Sequence, residues 1–353
     1  MKCLFLCRRL AGYFYDCIQV LADADPELEI LIVAYSRADN APFQFANHPR
    51  IQIIGRQDKG ESELQAFLKT QRPNYIYVAG WADKLYNQIC KHFKGTVPVT
   101  MGMDNQWKAL WRQYLLAYVL RFKIHAMCDR IWVPGMYQYE YARRLGFARE
   151  AIDTGLYATD PEKFIELDRS SQQSGEKCLL FIGNMWADKG VVELIEAFKA
   201  VQSEHPDWRL LLIGGGPLIE TYRGAIDSVE VLGFVQPDEL PTVMARASAF
   251  CLPSYHDAWA VVIHEAASMG LPIIATDVCG AVSAFVHEGY NGFRCKPRDQ
   301  ESLKHALLQL MELPDGDRDE YGRRSRSLSF QFTPALWAAR VLTRVLTRVR
   351  AEG

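Results

Sequence analysis

Lys189, Asp257 and Glu265 are the residues of this sequence whose types and settings best suit chemistry on a phosphorylated, hydroxyl-bearing ligand. Lys189 stands in the loop Phe181-Ile182-Gly183-Asn184-Met185-Trp186-Ala187-Asp188-Lys189-Gly190, between an apolar run and an amphipathic one. A cation near a helix N-terminus, beside free backbone amides, suits a diphosphate. A solvated lysine at a glycine turn explains the same residue. Asp257 follows the apolar run 249–254, and Glu265 falls among Val261, Val262, Ile263, Ala266 and Ala267. A carboxylate in such company needs a partner, because a lone buried charge is costly. Ribose hydroxyls would serve. Asp257 also reads as an N-cap, and Glu265 as half of an internal salt bridge. The loop Ile213-Gly214-Gly215-Gly216-Pro217 would let a backbone approach a ligand, yet it falls short of a full GxGxxG fingerprint and is equally an ordinary turn.

These loops require strands to carry them. Short apolar runs alternate with longer amphipathic ones throughout. Candidate strands are 3–7, 29–35, 51–55, 75–80, 97–102 and 130–135, then 178–183, 209–214, 229–233, 249–254, 272–276 and 292–296. Helix-length segments such as 61–70, 83–93, 191–201, 238–246 and 262–269 lie between them. Alternation of this kind implies parallel sheets covered on both faces. Six strands per half predict an α/β chain of two Rossmann-like, doubly wound domains. The polar stretch 168–176 reads as a linker between a first domain, 1–167, and a second, 177–333. The last helix, within 334–353, carries Leu336, Trp337, Val341, Leu342 and Val345 and could return to the first domain. Such sheets bind ligands at the carboxyl ends of their strands, where all three loops fall.

The 353 residues carry a net charge of -2, which argues against nucleic acid as a partner. The nine cysteines form no CxxC pair, and His264-Glu265 lacks the second histidine of HExxH, so no metal site is expected. Arg8-Arg9 interrupts the opening apolar run, no stretch has the length of a membrane span, and a reducing cytoplasm fits the thiols.

In order and spacing the loops resemble the family 4 retaining glycosyltransferases of the GT-B fold, whose two domains face a central cleft. Asn184 to Gly190 resembles the family's arginine-x-x-x-x-lysine-glycine loop, and Asp257 to Glu265 its EX7E pair of acids. Segments 276–280 and 288–293 resemble those that follow, and 155–164 resembles the interdomain "NGVDxxxF" segment. The resemblance covers most of the second half and only loosely the first. It implies that Lys189 binds the donor diphosphate and stabilises the leaving group. Glu265 would hold the ribose, and Asp257 the sugar hydroxyls. The amides of Ala258, Trp259 and Ala260 would contact sugar and phosphate, with Phe234 and Val235 framing the base. Gly12, Gly183, Asn184 and Gly215 join this donor set. In this sequence Asn184 replaces arginine, Asp257 replaces glutamate, and Ala258 and Ala260 replace glycines. Asp104 stands where the first domain usually has histidine, and the early glycine loop is reduced to Ala11-Gly12.

The implied reaction moves a sugar from a nucleotide-diphosphate sugar, the co-substrate, to a glycan or lipid-linked acceptor, with no other cofactor. Retention follows from the family, whereas Asp104 as a base would suit inversion. An epimerase, a hydrolase, a glycan phosphorylase and a degenerate binder are the competing readings. Segment 107–123 mixes Trp, Tyr, Arg and Lys with aliphatics. It reads as a core helix with basic ends, or as an interfacial helix meeting the inner face of a membrane.

Overall fold

Runs such as Lys2–Cys7 and Glu29–Ala34, nearly free of polar breaks, suit strands buried on both faces. The computed structural model describes residues 1–35, 45–164 and 177–352, with side chains as far as 346. The chain divides into two units, Met1–Thr159 with Phe332–Gly353, and Asp160–Gln331.

The first unit holds β1 (Lys2–Cys7), β2 (Glu29–Ala34), β3 (Ile51–Gly55), β4 (Tyr75–Ala79), β5 (Val99–Gly102), β6 (Arg130–Trp132) and β7 (Ile152–Asp153). They form one sheet in the order β3-β2-β1-β4-β5-β6-β7. Every pairing is parallel, with Leu4 opposite both Leu31 and Ile76. Side chains alternate between two cores: Leu4 and Leu6 join Val78 and Met101, while Cys3, Phe5 and Cys7 join Phe14 and Trp337. Six strands were expected here, and among the described residues the sheet has seven. The extra one, β7, is two residues long, too short to produce any alternation of its own.

The second unit holds β8 (Lys177–Ile182), β9 (Trp208–Ile213), β10 (Val229–Gly233), β11 (Ala249–Leu252), β12 (Ile273–Thr276) and β13 (Gly292–Cys295). Their order is β10-β9-β8-β11-β12-β13, again all parallel. The expectation of two doubly wound parallel sheets is met. In each sheet the strand order reverses between two neighbours, β1 and β4 or β8 and β11. Connections leave such neighbours in opposite directions, which opens a crevice at their carboxyl ends.

Two sequence expectations need correction. The units part at Thr159/Asp160, ahead of the expected 167, because the short turn Pro161–Phe164 packs on the helix Val261–Met269; the expected linker, 168–176, lies outside the described residues. Segment 107–123 is not a core helix: in the helix Trp111–His125 only Ala117 and Ile124 are buried. No helix among the described residues is long and apolar enough to cross a membrane.

The last helix, Pro334–Glu352, belongs to the first unit. Trp337 stacks on Trp132 at 4.9 Å, lies 6.0 Å from Phe5, and donates its indole N–H to Leu156 O at 3.0 Å. Arg344 reaches Asp153, which Arg130 also holds. The end of the chain thus completes the core begun by its first strand.

Candidate functional site

The crevice between β8 and β11 brings together two of the residues singled out in the second half, Lys189 and Asp257. Lys189 follows β8 and Asp257 follows β11, so strands adjacent in the sheet bring together residues 68 positions apart. Lys189 Nζ donates to Asp257 Oδ2 at 2.7 Å, with the two side chains 20% and 21% exposed. The backbone locks the pairing: Tyr255 N donates to Asp188 O at 2.9 Å. Gly190, at φ +71, presses on Pro253, whose carbonyl oxygen an added Cβ would meet at 2.2 Å. Only glycine fits there, and that constraint places the lysine.

Asp257 is not the N-cap of the next helix. Ala260 holds that position, at φ 69 and ψ 75, and offers no side-chain cap. Asp257 instead accepts from Trp259 N at 3.2 Å through its other carboxylate oxygen, Oδ1. The Trp259 amide, expected to face a donor, is therefore engaged inside its own turn, and the Trp259 side chain is buried near Phe285. Ala258 is half-buried and Ala260 buried. On the helix Val261–Met269 the half-buried residues are Val261, Val262 and Glu265; the remaining six are buried. Glu265 lies one turn beyond Val261, on the stripe that solvent reaches.

His264, next to it, anchors the opposite face. Its Nε2 meets Ser329 O at 2.8 Å and its ring stacks on Phe285 at 4.2 Å. Burial pushes the imidazole down to about 4, so it is neutral near pH 7. Sequence reasoning passed over His264 as a failed metal motif, although a histidine inside an apolar helix face is itself the signal of an anchor. Tyr255 was also missed. It bonds Glu193 through its hydroxyl, and Arg298 lies 4.7 Å from its ring. Burial first, and then Glu193, push the phenol up to about 12.

The glycine loop divides its work. An added Cβ on Gly214 would lie 1.8 Å from Gly183 O, so this glycine serves backbone packing, whereas Gly215 faces open space. Gly215 O accepts from Met185 N at 2.8 Å, and Gly183 N donates to Ile213 O at 2.9 Å. Asn184 is exposed at the turn between them. Gly214 N donates to Gly233 O at 2.8 Å, which brings exposed Phe234 and half-buried Val235 to the same edge.

Asp104 and Gly12 belong to the first unit. Gly12 opens the helix Gly12–Asp23, and the next residue, Tyr13, meets Tyr157 edge-on at 5.5 Å. Tyr157 donates its hydroxyl to Asp104 Oδ2 at 3.1 Å, and burial raises that phenol well above its usual range. Both residues thus sit at the carboxyl edge of the first sheet, joined by two tyrosines.

A lysine held by an aspartate, glycine backbone in open space and a carboxylate on an accessible stripe suit a ligand with phosphates and hydroxyls. Residues 176–313 match the family model of glycosyl transferases group 1. A stretch of 155 residues is 35% identical to an exopolysaccharide phosphotransferase of Streptomyces coelicolor, covering 41% of this chain and 16% of that protein. Over 190 residues the identity is 27% to a GDP-mannose-dependent alpha-(1-6)-phosphatidylinositol monomannoside mannosyltransferase of Mycobacterium tuberculosis, covering 50% of this chain and 49% of the other. The chain spans less than half the length of these curated relatives. In fold, the crystal structure of Anabaena Alr3699/HepE in complex with UDP and glucose matches with a TM-score of 0.75. The identity is 16%, and 98% of this chain and 100% of that one are covered. The fold class is therefore GT-B, with two Rossmann-like parallel-sheet domains.

Proposed function

We propose that this chain is a glycosyltransferase that moves a sugar from a nucleotide-diphosphate sugar to an acceptor hydroxyl, with retention and without metal or other cofactor. The observation that carries the reading is the Lys189–Asp257 pair at the β8/β11 crevice, with Glu265 on the accessible stripe of the helix that follows. Support comes from the family model over 176–313 and from relatives whose names include a GDP-mannose-dependent mannosyltransferase.

In this reading the donor diphosphate draws Lys189 away from Asp257. The lysine then neutralises charge as the bond from the anomeric carbon to the phosphate oxygen breaks. Asp257, released, accepts from sugar hydroxyls, and Glu265 accepts from the ribose. The acceptor oxygen bonds to the anomeric carbon on the face the phosphate leaves, and its proton passes to the departing phosphate oxygen. Lys189 supplies the positive field this step needs. Phe234 and Val235 frame the base, and Gly215 lies beside the diphosphate. Asp104 belongs to the acceptor side, and Gly12 to the donor-binding set. The acceptor is a glycan or lipid-linked molecule of cell-surface glycan or glycolipid synthesis, met in the cytoplasm at the inner membrane face through segment 107–123.

The test is a panel of UDP-, GDP-, ADP- and dTDP-sugars, with nucleotide binding and nucleotide release measured with and without acceptors. One donor is expected to bind and to release nucleotide faster with acceptor. Release without any acceptor dependence would make the protein a hydrolase. Binding without release would make it a degenerate transferase, and an inverted linkage in the product would end the retaining assignment.

A further inference from the structure

The helix Trp111–His125 is turned with its larger apolar side chains toward solvent. Residues Gln113, Ala117, Leu120 and Ile124, spaced i, i+4, i+7 and i+11, form its buried or half-buried stripe. Directly opposite, Trp111, Leu115, Tyr118, Val119 and Phe122 are between 59% and 67% exposed. A helix of a globular protein ordinarily points such a stripe at the core. From Asn105 to Cys128 there is no Asp or Glu, while Lys108, Arg112, Arg121 and Lys123 are all present. Helical spacing puts Arg112 and Lys123 on one flank of the apolar stripe and Arg121 and His125 on the other. The guanidinium of Arg121 lies 5.0 Å from the Tyr118 ring and 4.7 Å from that of Phe122, and Arg112 lies 5.3 Å from Trp111. Cations resting on aromatic rings beside an apolar face match the boundary between acyl chains and headgroups.

The neighbouring helix, Met136–Arg144, adds a second feature. Arg144 lies over the rings of Trp107 and Tyr114 at 5.6 and 5.7 Å. Next to it opens a cavity of about 440 Å³ lined by Tyr139, Glu140, Arg143, Arg144 and Arg149. Arg144 pairs with Glu140 at 2.8 Å. Among the described residues Arg143 and Arg149 have no ion pair with an acid, so the cavity carries excess positive charge.

We propose that the outward face of the Trp111–His125 helix docks on an anionic phospholipid bilayer, and that the Arg143/Arg144/Arg149 cavity holds a lipid headgroup phosphate. This deepens the membrane contact in the reading above and needs no transfer reaction. Arginine forks match phosphate oxygens in pairs. A second copy of the chain is the weaker fit to this face, because both flanks are basic and a symmetric pairing would set like charges together.

The test is flotation of the full chain with vesicles of phosphatidylcholine alone and with phosphatidylglycerol added. Wild type is expected to float with the anionic vesicles. Leu115→Ser/Val119→Ser/Phe122→Ser is expected to weaken that binding at least about tenfold, as is Arg112→Glu/Lys123→Glu. All five positions are exposed, so unchanged melting temperatures are expected to accompany the loss. Arg143→Lys/Arg149→Lys keeps the charge and removes the forks, and is expected to weaken binding about threefold to tenfold. Wild type that ignores anionic vesicles, or a serine variant that floats as well as wild type, overturns the docking face. A dimer in sedimentation that the serine variant abolishes, without vesicle binding, overturns it in favour of a second copy. A lysine variant equal to wild type overturns the headgroup cavity. Nucleotide-sugar binding in solution is expected to be the same in every variant, which separates failure here from failure of the transferase reading.

Discussion

The two units solve the same packing problem by different means. Among the described residues, each glycine of the second unit whose added Cβ would come within 3.0 Å of another atom meets backbone there, as Gly190 meets Pro253 O and Gly214 meets Gly183 O. In the first unit the equivalent contacts are all to side chains, as Gly102 meets Tyr77 and Gly155 meets Phe332. Backbone pressed on backbone admits one residue type, so it leaves a fixed pattern in the sequence. A side chain can move or change with its neighbour, so it leaves none. This is why the loops of the second half read as motifs, while the tyrosines around Asp104 did not.

The largest expected effect tests the chemical side of that contrast. Lys189→Ala should slow donor turnover by about 10² to 10³, measured as nucleotide release at saturating donor. A smaller loss would mean that backbone amides alone hold the diphosphate. Next comes the packing itself. Gly214→Ala should cost about 3 kcal/mol of stability, and Gly102→Ala, which meets the buried Tyr77 ring and no backbone, about 2 kcal/mol. Urea unfolding of both variants checks this, and equal losses would break the comparison. In the first unit, Asp104→Asn should reduce turnover less than about tenfold, because retention needs no protein base. A loss beyond about 10² in product formation would move the proton acceptor to Asp104 and favour inversion. The smallest effect concerns Ala260, an alanine held at φ 69. Ala260→Gly should relieve the left-handed backbone and raise stability by about 1 kcal/mol in the same unfolding assay.

Much of the fold could be read from residue patterns. Among the described residues, twelve of the thirteen strands follow from apolar runs closed by Gly, Pro or a turn; eleven lie within two residues of their expected bounds, and β6 ends three residues short of its own. The exception, Ile152–Asp153, is held by pairing with β6 and by Arg130 and Arg344 on Asp153. Those contacts come from distant parts of the chain, and local sequence holds no trace of them. In the site, Lys189 and the acids stood out by type and spacing. The engaged Trp259 amide and the anchoring by His264 and Tyr255 did not, because each depends on which atoms meet after folding.

Composition and periodicity determined two parallel sheets, the loops that end their strands and the acids and lysine those loops carry. Local physics suffices there, since a run of β-branched and aliphatic residues is buried whatever its neighbours. Which loops become neighbours was decided by strand order, and only the sheet sets β8 beside β11 and so Lys189 beside Asp257. Tertiary structure likewise decided the direction of the Trp111–His125 helix. Its apolar residues fall on every side of the helix, between basic ones, and only the packing of Ala117 and Ile124 left the larger side chains facing out.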